Sequence, residues 1–126
     1  MNLILLVAIG GALGSVARYL VSVYSAQLFG LTFPWGTLTV NVVGSFAMGL
    51  LAAFAAIRLS MPNELRVFLA TGVLGGFTTF SAFSLDFAVL FERKDYALTA
   101  IYVVSSVGLS LMALFAGLWL IRAWLT

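Results

Sequence analysis

The chain has 126 residues, 63% of them hydrophobic and 8% charged, with a net charge of +2 and a mean hydropathy of +1.19. A soluble domain carries about a quarter charged residues because its surface faces water, so six basic and four acidic residues exclude an ordinary water-facing surface and point to one covered by lipid. Cysteine and histidine are absent, which removes disulfides, thiol chemistry and imidazole. No basic cluster exceeds two residues, which leaves no nucleic-acid footprint.

A spanning helix needs about 20 mostly apolar residues. The first span is expected over about 3–24, interrupted only by Arg18. No positive region precedes it and apolar sequence continues beyond it, so it reads as a retained helix rather than a signal peptide. From Tyr19 to Ile57 there is no charge, too long a run for one helix. Gly30, Pro34 and Gly36 supply the break, and Phe33 and Trp35 suit an interfacial aromatic belt. The second span is expected over about 34–57. A polar loop runs from Arg58 to Arg66, in which Asn63 is placed to cap the next helix. The third span is expected over about 64–91 and the fourth over about 96–124, separated by Glu92-Arg93-Lys94-Asp95. The expected architecture is a single all-α domain, residues 1–126, of four transmembrane helices.

With four spans both termini lie on one side, which holds Arg58, Arg66 and Arg122, against Arg93 and Lys94 on the other. Positive charge in short loops sets orientation, and here the bias is nearly flat. A weak bias settled by other signals and a dual topology, with copies inserted both ways, both fit. The chain has few helices with which to enclose a pathway, so a homo-oligomer is expected. Gly10, Gly14 and Arg18 recur every four residues. Such small-residue faces allow close helix approach, within one subunit or between two.

Polar groups at membrane depth are costly and therefore informative. Arg18 and Asp86 lie toward the same-side ends of the first and third spans and are expected to form a structural polar pair. Thr37, Asn41 and Ser45 share one face of the second span, and Thr99, Tyr102, Ser106 and Ser110 form a stripe on the fourth. Interhelical hydrogen bonding and a shared polar track both account for these stripes. In the third span, Gly75-Gly76 followed by Thr78-Thr79 is a poor helix interior. A break there would free backbone groups, which is tolerated only where protein buries them or they line a cavity. Phe80 and Phe83 follow on nearly one face, and their ring edges can contact an anion without a full positive charge.

These segments resemble the CrcB/Fluc family of fluoride ion channels over the whole chain. The resemblance is carried by Gly10-Gly11-Ala12-Leu13-Gly14-Ser15-Val16-Ala17-Arg18-Tyr19, by Pro34-Trp35-Gly36-Thr37-Leu38-Thr39-Val40-Asn41, and by Gly72 through Ser84. It implies a multi-pass protein of the cell inner membrane, assembled as an antiparallel homodimer with a broken third helix. It implies two fluoride pores lined by Phe80, Phe83 and Asn41, with Ser106 and Ser110 on the polar track. It further implies a structural sodium ion at the dimer centre, held by backbone carbonyls of Gly75 and Thr78, and a role in exporting fluoride and lowering its toxicity. Hydroxyls of Thr37, Thr39 and the serines, with the Asn41 amide, are donors able to replace fluoride's water. The competing expectation is a small multidrug or cation exporter. Asp86 is its only candidate carboxylate, because the first two spans carry none. An enzyme is not expected, since no base–nucleophile pair is present.

Overall fold

The computed structural model describes residues 2–126, and four helices in it are long and apolar enough to cross a membrane. Helix α1 (Leu3–Phe29) starts where the Asn2 side-chain oxygen accepts the Ile4 N–H at 2.7 Å. It ends at Gly30, whose φ of +79° is open to glycine and whose N–H donates to the Ala26 carbonyl at 2.9 Å. It thus runs five residues past the expected end at Tyr24, because nothing between Tyr24 and Gly30 breaks a helix. Helix α2 (Trp35–Ile57) follows Pro34.

The third span, Asn63–Glu92, is a succession of pieces. Helix α3 (Asn63–Arg66) leads into a π-helical segment, Val67–Leu74, then α4 (Gly75–Phe77) and α5 (Phe80–Glu92). Asn63 lies inside the first turn, and its oxygen accepts from the Arg66 guanidinium at 2.7 Å rather than capping a backbone N–H. Between α4 and α5, Thr78 and Thr79 are extended, with φ/ψ of −87°/157° and −153°/125°. Helix α6 (Tyr96–Leu125) opens on Asp95, which accepts the Leu98 N–H at 3.2 Å.

Two close helix pairs organise the bundle: α2 against α6, and α1 against the π segment and α4. Glycine sets the second contact. A Cβ at Gly10 would stand 2.7 Å from the Phe68 carbonyl, and one at Gly76 would stand 2.6 Å from the Gly11 carbonyl. The small residues of the first span therefore serve packing within the chain. The buried side chains are few, Val40 and Tyr102 being the largest fully enclosed ones, as expected where lipid replaces a core.

Candidate functional site

Helices α2, α5 and α6 and the extended Thr78-Thr79 pair converge on a cleft of about 300 Å³. Asn41 and Ser45 face it from α2, Phe80 and Phe83 from α5, and Ser106 and Ser110 from α6. The Asn41 amide holds the junction: its oxygen accepts the Thr79 N–H at 2.8 Å and its nitrogen donates to the Thr79 carbonyl at 3.0 Å. Thr79 in turn starts α5, its hydroxyl accepting the Ala82 N–H at 3.1 Å. Thr78 returns its hydroxyl to the Leu74 carbonyl at 2.9 Å.

The hydroxyl oxygens of Ser106 and Ser110 are buried and find no hydrogen-bond partner among the described residues. Such a group costs about 1–3 kcal/mol when it stays unpaired. The rings of Phe80 and Phe83 lie 5.5 Å apart and tilted by 47°. Phe83 continues to Tyr102 at 5.2 Å, and Tyr102 to Phe33 at 5.5 Å, edge-on.

Five of the expected site residues thus share one cleft, and Thr78 joins them. Thr37 does not: it lines a second cleft of about 220 Å³ with Ser22, Ser25, Phe33 and Asp86. Thr39 lines neither cleft and is exposed. Two residues from both Thr37 and Asn41, it is rotated about 200° away on a helix of 3.6 residues per turn.

Arg18 and Asp86 have different partners. The Arg18 Nε donates to the Gly76 carbonyl at 3.0 Å, and Asp86 accepts the Tyr102 hydroxyl at 3.0 Å. Gly76 and Asp86 are ten residues apart, on either side of the Thr78-Thr79 junction, and α1 packs on the near side of it. The expected pair is therefore replaced by two separate contacts. In the sequence Thr79 figures only in a weak helix interior and Tyr102 only on the polar stripe of the fourth span, neither as a site residue. Their signals were a threonine directly before a helical run, and a hydroxyl on the Ser106/Ser110 stripe.

Backbone accounting at the junction is specific. In a continuous helix the Thr79 N–H would serve the Gly75 carbonyl and the Ala82 N–H the Thr78 carbonyl. Asn41 takes the first donor and the Thr79 hydroxyl takes the second. The carbonyls of Gly75 and Thr78 lose their regular helical donors, and Gly75 is exposed on the surface of the chain.

Residues 5–118 match the family model described as CrcB-like protein, Camphor Resistance (CrcB). The chain belongs to the CrcB family. Among its CrcB relatives, the fluoride-specific ion channel FluC of Agrobacterium fabrum is 60% identical over 115 residues, 91% of this chain and 92% of its own length. A protein of the same description from Rhizobium meliloti is 58% identical over 123 residues, 98% of each chain. One from Rhodospirillum centenum is 57% identical over 122 residues, 97% of each. The segments quoted from the sequence lie within the matched residues.

Proposed function

We propose that this CrcB-family chain is a fluoride-selective ion channel of the cell inner membrane that releases fluoride from the cytoplasm and lowers its toxicity. Close relatives carry the name of that activity over nearly their full length. The observation that carries the reading here is the pair of unpartnered serine hydroxyls facing two phenylalanine rings in one cleft. Fluoride is small and strongly hydrated. Donors at Ser106 and Ser110 can replace part of its water, and ring edges of Phe80 and Phe83 add weaker contacts. Asn41 contributes by holding Thr79, with its remaining amide proton as a further donor. Among the described residues no lysine or arginine lines this cleft, which suits a site that must also release its ion.

The working unit is an antiparallel homodimer. The cleft is open on one side, and Phe80 is 76% exposed in the single chain. A polar pathway cannot lie open to hydrocarbon, and a second copy is the simplest cover. The interruption of the third span fits a sodium ion at the dimer centre: the Gly75 and Thr78 carbonyls have lost their regular donors and carry no charge of their own. A bound cation would satisfy such oxygens and add positive potential near the anion path.

The cation-exporter reading requires a free membrane carboxylate. Asp86 accepts from Tyr102 and lines the second cleft rather than the first, so nothing favours that reading over the channel. The test is fluoride efflux from liposomes containing the purified protein, followed with an ion-selective electrode and with chloride as control. Fast fluoride release with negligible chloride release is expected. No fluoride release from a folded dimer would overturn the proposal and return attention to Asp86.

A further inference from the structure

The second cleft carries a charge at its rim. Its lining includes Gly30, Leu31 and Phe33 of the loop between α1 and α2, together with Asp86. Arg93, the C-cap residue that follows α5, donates from its guanidinium to the Thr32 carbonyl at 3.3 Å. Thr32 sits between two lining residues, so the guanidinium is tethered to the rim rather than free in solvent. Asp86 and Arg93 are seven residues apart, two helical turns, which puts them on one face and about 10 Å apart along the axis.

The neighbouring charges differ in their attachment. Asp95 is committed to capping α6 through the Leu98 N–H. Glu92 and Lys94 are exposed and make no hydrogen bond to the loop among the described residues. The Asp86 carboxyl in the lining opposes an entering anion. A cation fixed at the entrance offsets that repulsion and raises the local anion concentration. Exposed charges of this kind act over a Debye length, about 30 Å at 0.01 M salt and about 8 Å at 0.15 M.

We propose that Arg93 is an anion-collecting residue, held at the mouth of the second cleft to steer the permeating anion into the protein. This rests on the channel reading. It assigns the second cleft to ion entry, and it makes entry depend on charge and on ionic strength.

Efflux is measured in liposomes at fluoride well below saturation, in about 10 mM and about 300 mM of an impermeant salt, for wild type, Arg93→Gln and Arg93→Lys. Arg93→Gln keeps a donor for Thr32 and loses the charge; Arg93→Lys keeps the charge. Arg93→Gln is expected to lower efflux about threefold or more at low salt and to match wild type at high salt. Arg93→Lys should stay near wild type in both. Wild-type efflux from Arg93→Gln at low salt would overturn the proposal, as would a loss that persists at high salt or that Arg93→Lys shares. Absence of fluoride efflux from the wild type would instead overturn the channel reading itself.

Discussion

Ser106 and Ser110 are unusual among the polar residues because their hydroxyl oxygens are buried with no hydrogen-bond partner among the described residues. Several hydroxyls of the spans bond back to their own helix, as Ser105 does to the Ile101 carbonyl at 2.6 Å and Ser84 to the Phe80 carbonyl at 3.1 Å. Those residues are at peace with lipid or neighbouring helices and need no ligand. A buried, unmatched hydroxyl destabilises the fold by about 1–3 kcal/mol, so alanine at Ser110 removes a cost as well as a donor. Ser110→Ala is expected to melt in detergent at the same temperature as wild type or a few degrees higher, by about 1 kcal/mol. Its fluoride efflux should fall on the order of tenfold, because a hydrogen bond to an ion is worth about 1.5–3 kcal/mol and about 1.4 kcal/mol is tenfold in rate. Ser106→Ala should behave alike. A variant that loses stability and keeps flux would mark these serines as packing groups. Asn41 has the opposite profile. Both ends of its amide are used on Thr79, so Asn41→Ala strands a backbone N–H and a carbonyl. It should lose about 1–3 kcal/mol of stability together with flux, read by thermal melting beside efflux.

At the scale of elements, the contact of α1 with the third span separates two adjacent glycines. A Cβ at Gly10 meets the Phe68 carbonyl at 2.7 Å, a backbone atom with little room to yield, while a Cβ at Gly11 meets nothing within 4 Å. Gly10→Ala should cost about 1–3 kcal/mol through overpacking, and Gly11→Ala should leave the melting temperature unchanged. An equal loss at Gly11 would show that a partner chain covers that face. The four spans were legible because hydrocarbon leaves few ways to satisfy backbone groups, so long apolar runs read as helices. Their ends were less legible: the residues from Tyr24 to Phe29 read as loop or helix with equal ease, and Gly30 alone decides. Rotation about a helix axis was legible within one span but not between two. Asn41 with Ser45, Phe80 with Phe83, and Ser106 with Ser110 each share a face of their own helix, and these three faces line one cleft. Arg18 and Asp86 did not come together, because the extended Thr78-Thr79 step and the π segment before it reset the direction of everything after them. Nothing in Val67-Phe68-Leu69-Ala70 announces a π-helix, whose register depends on α1 packing beside it.

At the scale of the whole molecule, the proposed pathway is only half enclosed by the single chain. The serines and phenylalanines line a cleft open to the side, and Gly75, with its freed carbonyl, faces outward. Ser81 and Ser84 are also exposed, so hydroxyls meet whatever surrounds the chain at this depth. A second copy in the same orientation would bring like faces together only around an axis along the membrane normal. A copy in the opposite orientation is one that the flat balance of Arg58, Arg66 and Arg122 against Arg93 and Lys94 permits. That balance is open to manipulation because loop lysines and arginines set topology. Ser60→Lys with Thr126→Lys puts added charge on the face of the termini. Arg58→Gln and Arg122→Gln with Glu92→Lys does the reverse. Each set alone should insert one way, give a C-terminal reporter signal from one side, and show no fluoride efflux from vesicles. Co-expression of the two sets should restore efflux, since each then supplies the orientation the other lacks. Wild-type chain should give reporter signal from both sides. Full efflux from either set expressed alone, with its orientation verified, would sink the antiparallel assembly and require the open cleft to be closed by a parallel partner.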